Sequence, residues 1–585
     1  MLQKAYLFID LTHKQWKREE IPAAVLDDYP SGAALATYLL GAHMPPGTEP
    51  LDPESVLVLT TGLMAGLPYP GATRFTLVGK SPLTGCWAGG TMGGEFAWGL
   101  CRSGWRAIVI RGCAPEWSYL LLDEGRVYFR PAADLLGKSL IQSKKDLQAA
   151  WGRETAVLGV GVAGEAGVRF AGVSDGSAEA GLRGGHGTIF GSKRLKALVI
   201  RPEDPVRIAH PEEFLNTVAP LLKALRPAEN VPGIDMGTPG VLKKMNQAHA
   251  LPVRNFQRVG FEEGWLNSVE KLKTRKRACP GCPLSCVNMY VFEEDTDNGL
   301  QQTELALFPE HLWALGPLLE INCLEDTLKA LKACMETGVD PVSLGVVAAW
   351  MAEGLENGLD IGFDLKTKPG FGHGEWLSFL PEQIVTLPQA RDLLGRGVLR
   401  AAEKAGSGAI GWAVHFAGQE MTYIDPRRTF WPLSYLGPAL DMKACEELSD
   451  QTSADEEWSL QMIQREDRWA LLETLGICRW AAAAQENLVG NLIDACRCVT
   501  GETVSAEMLN RWGQGCVNLI KAFDWREGQH PQNLRLADKF FKQDLRGSEN
   551  TFAALDPEIR HRRRETYFAL RGWSLEGEPK STAGP

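Results

Sequence analysis

The run Cys279-Pro280-Gly281-Cys282-Pro283-Leu284-Ser285-Cys286 sets three thiols at Cys-x2-Cys-x3-Cys spacing, and it constrains the rest of the chain more than any other feature. Soft thiolates held this close suit an iron–sulfur cluster or zinc. The flanking prolines and Gly281 make a rigid, tight turn whose backbone N–H groups can face cluster sulfurs. A structural zinc site takes its remaining ligands from a second nearby pair, and no second Cys-x2-Cys occurs here. The fourth ligand must therefore come from a remote segment. Cys496 and Cys498, in Asn491-Leu492-Ile493-Asp494-Ala495-Cys496-Arg497-Cys498, are the candidates. Cys86, Cys101, Cys113, Cys323, Cys445, Cys478 and Cys516 read as ordinary interior thiols.

A chain of 585 residues is too large for one core and should divide into about three or four domains. Its net charge of −11 argues against a nucleic-acid binder, which would show a basic stripe. No stretch has the apolar length of a membrane span. Charges interrupt the N-terminal segment where a signal peptide needs an apolar core, so a cytoplasmic location is expected. In such a compartment the 13 cysteines are thiols or metal ligands rather than disulfides.

The first part of the chain is strand-rich. Ala5–Thr12, Gln15–Glu20, Ser55–Thr60, Arg74–Val78, Ala107–Arg111, Ser118–Leu122, Thr155–Gly159 and Ala197–Arg201 are short β-type runs bounded by Gly and Pro. Helical spacing takes over in Pro211–Leu225, Glu325–Glu336, Ser343–Asn357, Ala390–Ala405, Asp467–Glu486 and Ala506–Phe523. The expected fold is α+β: a β-rich N-terminal domain over residues 1–205, then two mainly α-helical domains over 206–405 and 406–585. The segment Glu576–Pro585 reads as a loose tail.

Two glycine-rich segments suit an anionic ligand. Arg74 to Gly85 continues into Gly89-Gly90-Thr91-Met92-Gly93-Gly94, and Arg183-Gly184-Gly185-His186-Gly187 leads to Gly191-Ser192-Lys193-Arg194. Backbone N–H groups approach an anion closely where no Cβ intervenes, and the cations supply charge. Neither segment has P-loop spacing or a dinucleotide fingerprint. Together they point to a phosphate-bearing cofactor.

In order along nearly the whole chain, these motifs resemble the aldehyde:ferredoxin oxidoreductase family. The resemblance runs through Glu310-His311-Leu312-Trp313-Ala314-Leu315-Gly316-Pro317, Asp425-Pro426-Arg427 and Asn518 to Gly528, ending at Tyr567-x2-Leu570-Arg571-Gly572-Trp573. It implies a tungsten (or molybdenum) bis-molybdopterin centre, one [4Fe–4S] cluster, and room for Mg2+. It further implies a small-molecule substrate, and ferredoxin or an Fe–S electron-transfer subunit as partner in a homo- or hetero-oligomer. The implied cluster ligands are Cys279, Cys282, Cys286 and Cys496. The implied cofactor contacts are Arg74, Gly89, Gly90, Gly93, Arg183, Gly184, Gly185 and Gly187. The paired pterin loops fall on Gly338–Asp340 and on Asn491–Asp494 with Arg497. The implied reaction is two-electron oxidation of an aldehyde to a carboxylate. The alternative is another reaction on the same cofactors, such as reduction of an aromatic thioester or catalysis within a larger electron-transfer complex.

Departures from the family pattern concern catalysis. Met335 stands where the family has an acid or amide, Asn491 replaces Asp, Asp494 replaces Gly, and no histidine occurs between His415 and His530. Glu310 falls on the family's active-site glutamate, a base for a substrate hydrate. His311 and His415 are the candidate replacements for the missing histidine. Tyr423, Asp425 and Arg427 are further candidates for the pocket lining. The basic run Lys271–Arg277 could attract an acidic partner.

Overall fold

The computed structural model describes residues 4–177, 181–203, 205–225, 237–296, 299–406, 408–428, 454–531, 535–547 and 550–579. Cys445 and the end of the tail, residues 580–585, lie outside the described residues.

The inner strands of the first part of the chain are apolar on both faces, and packing shows why. A six-stranded sheet runs in the order Gln15–Glu20, Ala5–Asp10, Ala107–Arg111, Leu57–Thr61, Phe75–Lys80, Trp87–Met92. It is antiparallel except where Ala5–Asp10 meets Ala107–Arg111. Leu7, Ile9, Leu57, Leu59, Leu77, Ile108 and Ile110 point from one face into a core shared with Leu120, Leu122, Leu158, Leu198 and Ile200. Those last residues belong to a four-stranded sheet, ordered Arg126–Pro131, Ser118–Asp123, Leu195–Ile200, Ala156–Gly159. Period-2 alternation sends Tyr6, Val58, Val78, Ala107 and Val109 to the opposite face, against helices that include residues of Gly32–His43 and Ala506–Arg526. The far face of the smaller sheet packs on Leu140 and Leu147 of the helix Leu140–Trp151. The result is helix, sheet, sheet, helices, in which every layer covers an apolar face.

The rest of the chain is mainly helical. Pro341–Glu356, buried along almost its whole length, runs through one large core, whereas Asp455–Leu475, Ala506–Arg526 and Pro557–Arg571 pack on the six-stranded sheet and Pro211–Ala224 joins Leu488–Thr500 in a further cluster. A three-stranded sheet, Thr274–Arg277, Val287–Thr296 and Gly299–Leu307, flanks the cysteine turn. The architecture is the α+β arrangement expected. Among the described residues no helix is long and apolar enough to cross a membrane.

Two helices end in the same way, and their ends reach the β-rich part. Leu324–Thr337 stops at Gly338 (φ 80°, ψ 23°), with the N–H groups of Gly338 and Val339 both donating to the Cys334 carbonyl. Asp455–Leu475 stops at Gly476 (φ 74°, ψ 30°), and Gly476 and Ile477 donate likewise to Leu472. Only glycine takes this left-handed cap without strain. The residue two further on begins the next helix: Asp340 caps Pro341–Glu356 through its carboxylate, and Cys478 precedes Arg479–Ala483.

Each cap then docks on glycine-bearing backbone of the first part. Gly172 donates to Gly338 O (2.9 Å) and Asp340 N to Phe170 O (3.2 Å). In the second cap Arg74 N donates to Gly476 O (3.2 Å), Met64 N to Leu475 O (2.9 Å) and Cys478 N to Gly71 O (2.9 Å). A Cβ on Gly62 would lie 2.1 Å from the Gly476 Cα.

Candidate redox centre

Cys478 shares the neighbourhood of the cysteine turn; Cys496 does not. Cys282, Cys286 and Cys478 border one small buried cluster with Leu284 and Ala481. Burial pushes the Cys286 thiol up to about 12, and the neighbouring Cys478, Cys279 and Cys282 thiols add to that push. Burial acts the same way on Cys478, yet Arg74, helped by the Trp480 N–H and Arg479, outweighs it and holds this thiol below its ordinary value. Arg74 Nη2 donates to Cys478 Sγ at 3.6 Å, while Nη1 donates to the carbonyl and hydroxyl of Thr91 at 3.0 and 3.1 Å. Gly93 permits the approach of the turn, since a Cβ there would sit 2.8 Å from Cys279 Sγ.

Cys496 is instead packed with Leu492, Val499, Leu63 and Tyr69, and burial alone pushes its thiol up to about 12. The reason is helical periodicity. In Leu488–Thr500, Leu492, Cys496 and Val499 form the buried stripe, while Asp494 and Arg497 lie toward solvent. Arg497 pairs with Glu213 at the surface, and Asn491 donates to Gln485 at 3.1 Å. The Asn491–Asp494 segment is therefore one turn of a continuous helix rather than a loop. The second cap, Glu473-Thr474-Leu475-Gly476-Ile477-Cys478, repeats the spacing of Met335-Glu336-Thr337-Gly338-Val339-Asp340. Cys478, read from sequence as an interior thiol, lies with the three thiols of the turn.

Among the described residues no three His, Cys, Asp or Glu side chains converge on a single ion. A cubane cluster does not require that, because it spreads its thiolates over separate iron corners.

The glycines have two kinds of job. Gly89 and Gly90 lie half-buried in Trp87–Met92, an edge strand whose outer backbone is free of a strand partner among the described residues. Gly184 (φ 92°) and Gly185 (φ 82°) turn the chain, and a Cβ on Gly185 would meet Pro82 at 2.5 Å. Gly187 lets the helix His186–Ser192 press on the Gly172 carbonyl. His186 is buried against the carbonyls of Arg183 (2.8 Å) and Ala88 (3.2 Å), which joins this loop to the edge strand.

Arg183 leads into the first cap. Its Nε donates to Asp340 Oδ2 at 2.7 Å and its Nη2 to the Glu420 carbonyl at 3.0 Å; the buried Nη1 has no partner. Ser343 Oγ lies 2.7 Å from Asp340 Oδ2 and 2.8 Å from Glu420 Oε2. One hydroxyl proton cannot serve both carboxylates. Burial raises the Glu420 pKa, against the Val398 N–H, Ser343 and Arg183, whereas Asp340 is paired with Arg183.

Glu310 stands in the first turn of Pro309–Leu315, half-buried. His311 is 7% exposed; its neighbouring charges are Glu310, Asp340 and Arg183, and its Nδ1 has no partner. Burial lowers its pKa, keeping the imidazole neutral. His415 sits elsewhere: burial drives its pKa down to about 4, its charged neighbours are Asp538 and Arg535, and Nδ1 takes the Gly418 N–H at 3.3 Å. That role is structural. Asp425 and Arg427 are likewise spent on a buried ion pair, with Arg427 also donating to the Phe256 and Gln543 carbonyls. Sequence reasoning missed Cys478, Ser343 and Glu420. The repeated cap spacing was the available signal for the first, and none existed for the other two.

Thiols from two remote segments, joined by an arginine to a glycine-rich edge strand, define an oxidoreductase of the iron–sulfur class. The chain belongs to the aldehyde ferredoxin oxidoreductase family: residues 6–202 match the "Aldehyde ferredoxin oxidoreductase, N-terminal domain" and residues 222–583 match "domains 2 & 3". It is 27% identical to the tungsten-containing aldehyde ferredoxin oxidoreductase of Thermococcus kodakarensis over 597 residues, covering 98% of this chain and 96% of that one. The corresponding protein of Pyrococcus abyssi is 31% identical over 72% of this chain and 70% of its own length. An aliphatic sulfonate oxidoreductase, WOR-like subunit, of Pyrococcus furiosus is 27% identical over 70% of this chain and 69% of its own. The active-site complex BamBC of benzoyl coenzyme A reductase with 1,5-dienoyl-CoA shares the fold, with a TM-score of 0.83 at 22% identity, over 98% of this chain and 95% of that one.

Proposed function

We propose that the chain holds a tungsten (or molybdenum) bis-molybdopterin centre and one [4Fe–4S] cluster, and oxidises an aldehyde to a carboxylate. When bound, these groups supply two-electron exchange with carbon and its division into single electrons for ferredoxin or a partner subunit. The observation that carries this reading is Arg74, which contacts Cys478 Sγ on one side and Thr91 of the edge strand on the other.

The residues fit the groups. Cys279, Cys282, Cys286 and Cys478 supply four soft ligands. The two glycine caps and the open edge strand Trp87–Met92 offer backbone to a planar, hydrogen-bonding cofactor. The unpartnered Arg183 Nη1 and the Arg74 guanidinium supply charge for its phosphates. Glu310 takes the proton from the substrate hydrate, and the neutral His311, whose Nδ1 is unsatisfied, holds the substrate oxygen. This places on His311 the task of the missing downstream histidine.

Anaerobic purification followed by elemental and pterin analysis tests the cofactors. The expected content is about four iron, about one tungsten or molybdenum and about two pterins per chain; zinc without pterin would reject the reading. An aldehyde panel with a viologen dye tests the reaction. Glu310→Gln should lower kcat by about 10²–10⁴ at unchanged metal content. The lack of a histidine between His415 and His530 favours one second reading, reduction of an aromatic thioester on the same cofactors. A fully loaded protein silent toward all aldehydes would select it.

A further inference from the structure

The four thiols are each half-buried, and at the tip of the Cys279–Cys282 turn Pro280 is half-buried and Gly281 exposed, so the turn reaches solvent. Pro280 lines a cavity of about 690 Å3 whose walls include Trp98, Lys144, Lys145 and Arg153. A Cβ on Gly281 would lie 3.8 Å from the Trp98 ring, so the indole stands directly beside the turn. The Arg102 guanidinium is 5.6 Å from the centre of that ring.

Contacts gather further cations here. Gly176 packs on the Lys144 side chain, and Arg277 Nη1 donates to the adjoining Ser177 carbonyl at 2.6 Å. The lining carries Lys144, Lys145 and Arg153 against Glu95 and Glu154, with Arg102, Arg277 and Asp175 close by. Lys144 and Glu95 are committed to each other at 2.7 Å, which leaves Lys145 and Arg153 against Glu154, and the nearby Glu203 directs its carboxylate to the Gly125 N–H. On a chain of net charge −11, a concavity with an excess of one cation beside a solvent-facing turn is a local inversion of sign. Such inversions steer partners of opposite charge.

We infer that this concavity is the docking site for a small acidic electron-transfer protein, which covers Pro280 and Gly281 and places its own one-electron centre against the turn. The inference rests on the proposed function, since it gives the cluster's electron a route out. Lys145 and Arg153, both exposed, form the contact rim, and Trp98 is the apolar anchor.

The test uses the full-length, anaerobically purified protein and an acidic [4Fe–4S] ferredoxin as probe, with binding measured by surface plasmon resonance over a salt series. The double variant Lys145→Glu/Arg153→Glu should weaken binding about tenfold or more at low salt and flatten the salt dependence. Its iron content and viologen-linked activity should stay unchanged. Lys17→Glu, on Gln15–Glu20 at the opposite edge of the six-stranded sheet, should bind as the parent does. Carbodiimide cross-linking should join Lys145 to a ferredoxin carboxylate.

Three results would overturn the inference: equal affinity of parent and double variant, an equal loss in the Lys17→Glu control, or no ferredoxin binding at low salt by protein with its full iron. Protein without iron would instead reject the proposed function, and this inference with it, so the two failures are separable.

Discussion

Cys478 and Cys496 are both thiols on the C-terminal side of the chain, the first half-buried and the second buried, yet their surroundings assign them opposite roles. Cys478 faces Arg74 and the cysteine turn, whereas Cys496 faces Leu492 and Val499. Cys478→Ser is expected to lose iron, or to convert the cluster to one lacking an iron corner, visible by electron paramagnetic resonance. Cys496→Ser should keep its full iron and lose about 1–3 kcal/mol of stability, because a hydroxyl is then buried in an apolar stripe. Iron retained in the first variant and lost in the second would reverse the assignment.

Asp524 makes a second prediction at this scale. Its Oδ1 accepts the Trp87 N–H at 2.6 Å and its buried Oδ2 has no partner. Burial raises its pKa from 3.8 to about 7, against the Trp87 hydrogen bond and the nearby Lys521 and Lys80; Glu527 adds to the rise. A carboxyl with a raised folded pKa favours folding in its protonated form. Its contribution is therefore complete below 3.8 and is lost as pH climbs through about 7. The parent protein should lose thermal stability between about pH 4 and about pH 7, by at most a few kcal/mol, and Asp524→Asn should flatten that loss. A parallel pH profile in the two proteins would contradict it.

Helix ends, more than helix bodies, build the centre. Gly338 and Gly476 each terminate a helix in the left-handed region, and each presents the following residues to the β-rich part. Gly476→Ala would strain the cap and bring a methyl to 2.7 Å from the Gly62 Cα. The expected result is a loss of more than about 1 kcal/mol together with lowered iron, since Cys478 is two residues away. Leu475→Met, one residue earlier, should leave iron intact; equal iron loss in both variants would contradict the role given to the cap.

The same cap explains what the sequence concealed. Apolar periodicity continues across Gly476, so residues Asp467–Glu486 read as one helix and Cys478 as an ordinary interior thiol. In fact the helix ends at Leu475 and another starts at Arg479. A glycine inside a helical pattern is ambiguous from spacing alone, because the body and the cap place apolar residues on the same side. Ala390–Ala405 is broken for a similar reason, at Gly397. The cysteine turn, the strands Gln15–Glu20 and Ala107–Arg111, and the helix Pro211–Ala224 were legible because their signals are local. Ser343 and Glu420 were not, because only tertiary folding sets them beside Arg183.

At the scale of the whole molecule, Arg183 is where remote segments are tied together. It arises in the β-rich part, pairs with Asp340 at a helix start, and bonds the Glu420 carbonyl far along the chain. Glu420 in turn accepts the Val398 N–H at 2.8 Å. Removing one partner from such a buried network leaves charge uncompensated, at a cost of about 3–5 kcal/mol. Arg183→Met should therefore loosen contacts on both sides of the arginine. Hydrogen exchange should accelerate at the Val398 N–H, held by Glu420, and at the Asp340 N–H, held by the Phe170 carbonyl, while Leu59 and Val109 in the six-stranded sheet stay protected. Arg183→Lys keeps the charge but not the planar fork, so exchange at Val398 should fall between parent and methionine variant. If cofactor content falls while exchange at Val398 and Asp340 is unchanged, Arg183 contacts the cofactor without tying the segments together, and the two glycine caps alone hold the halves in register.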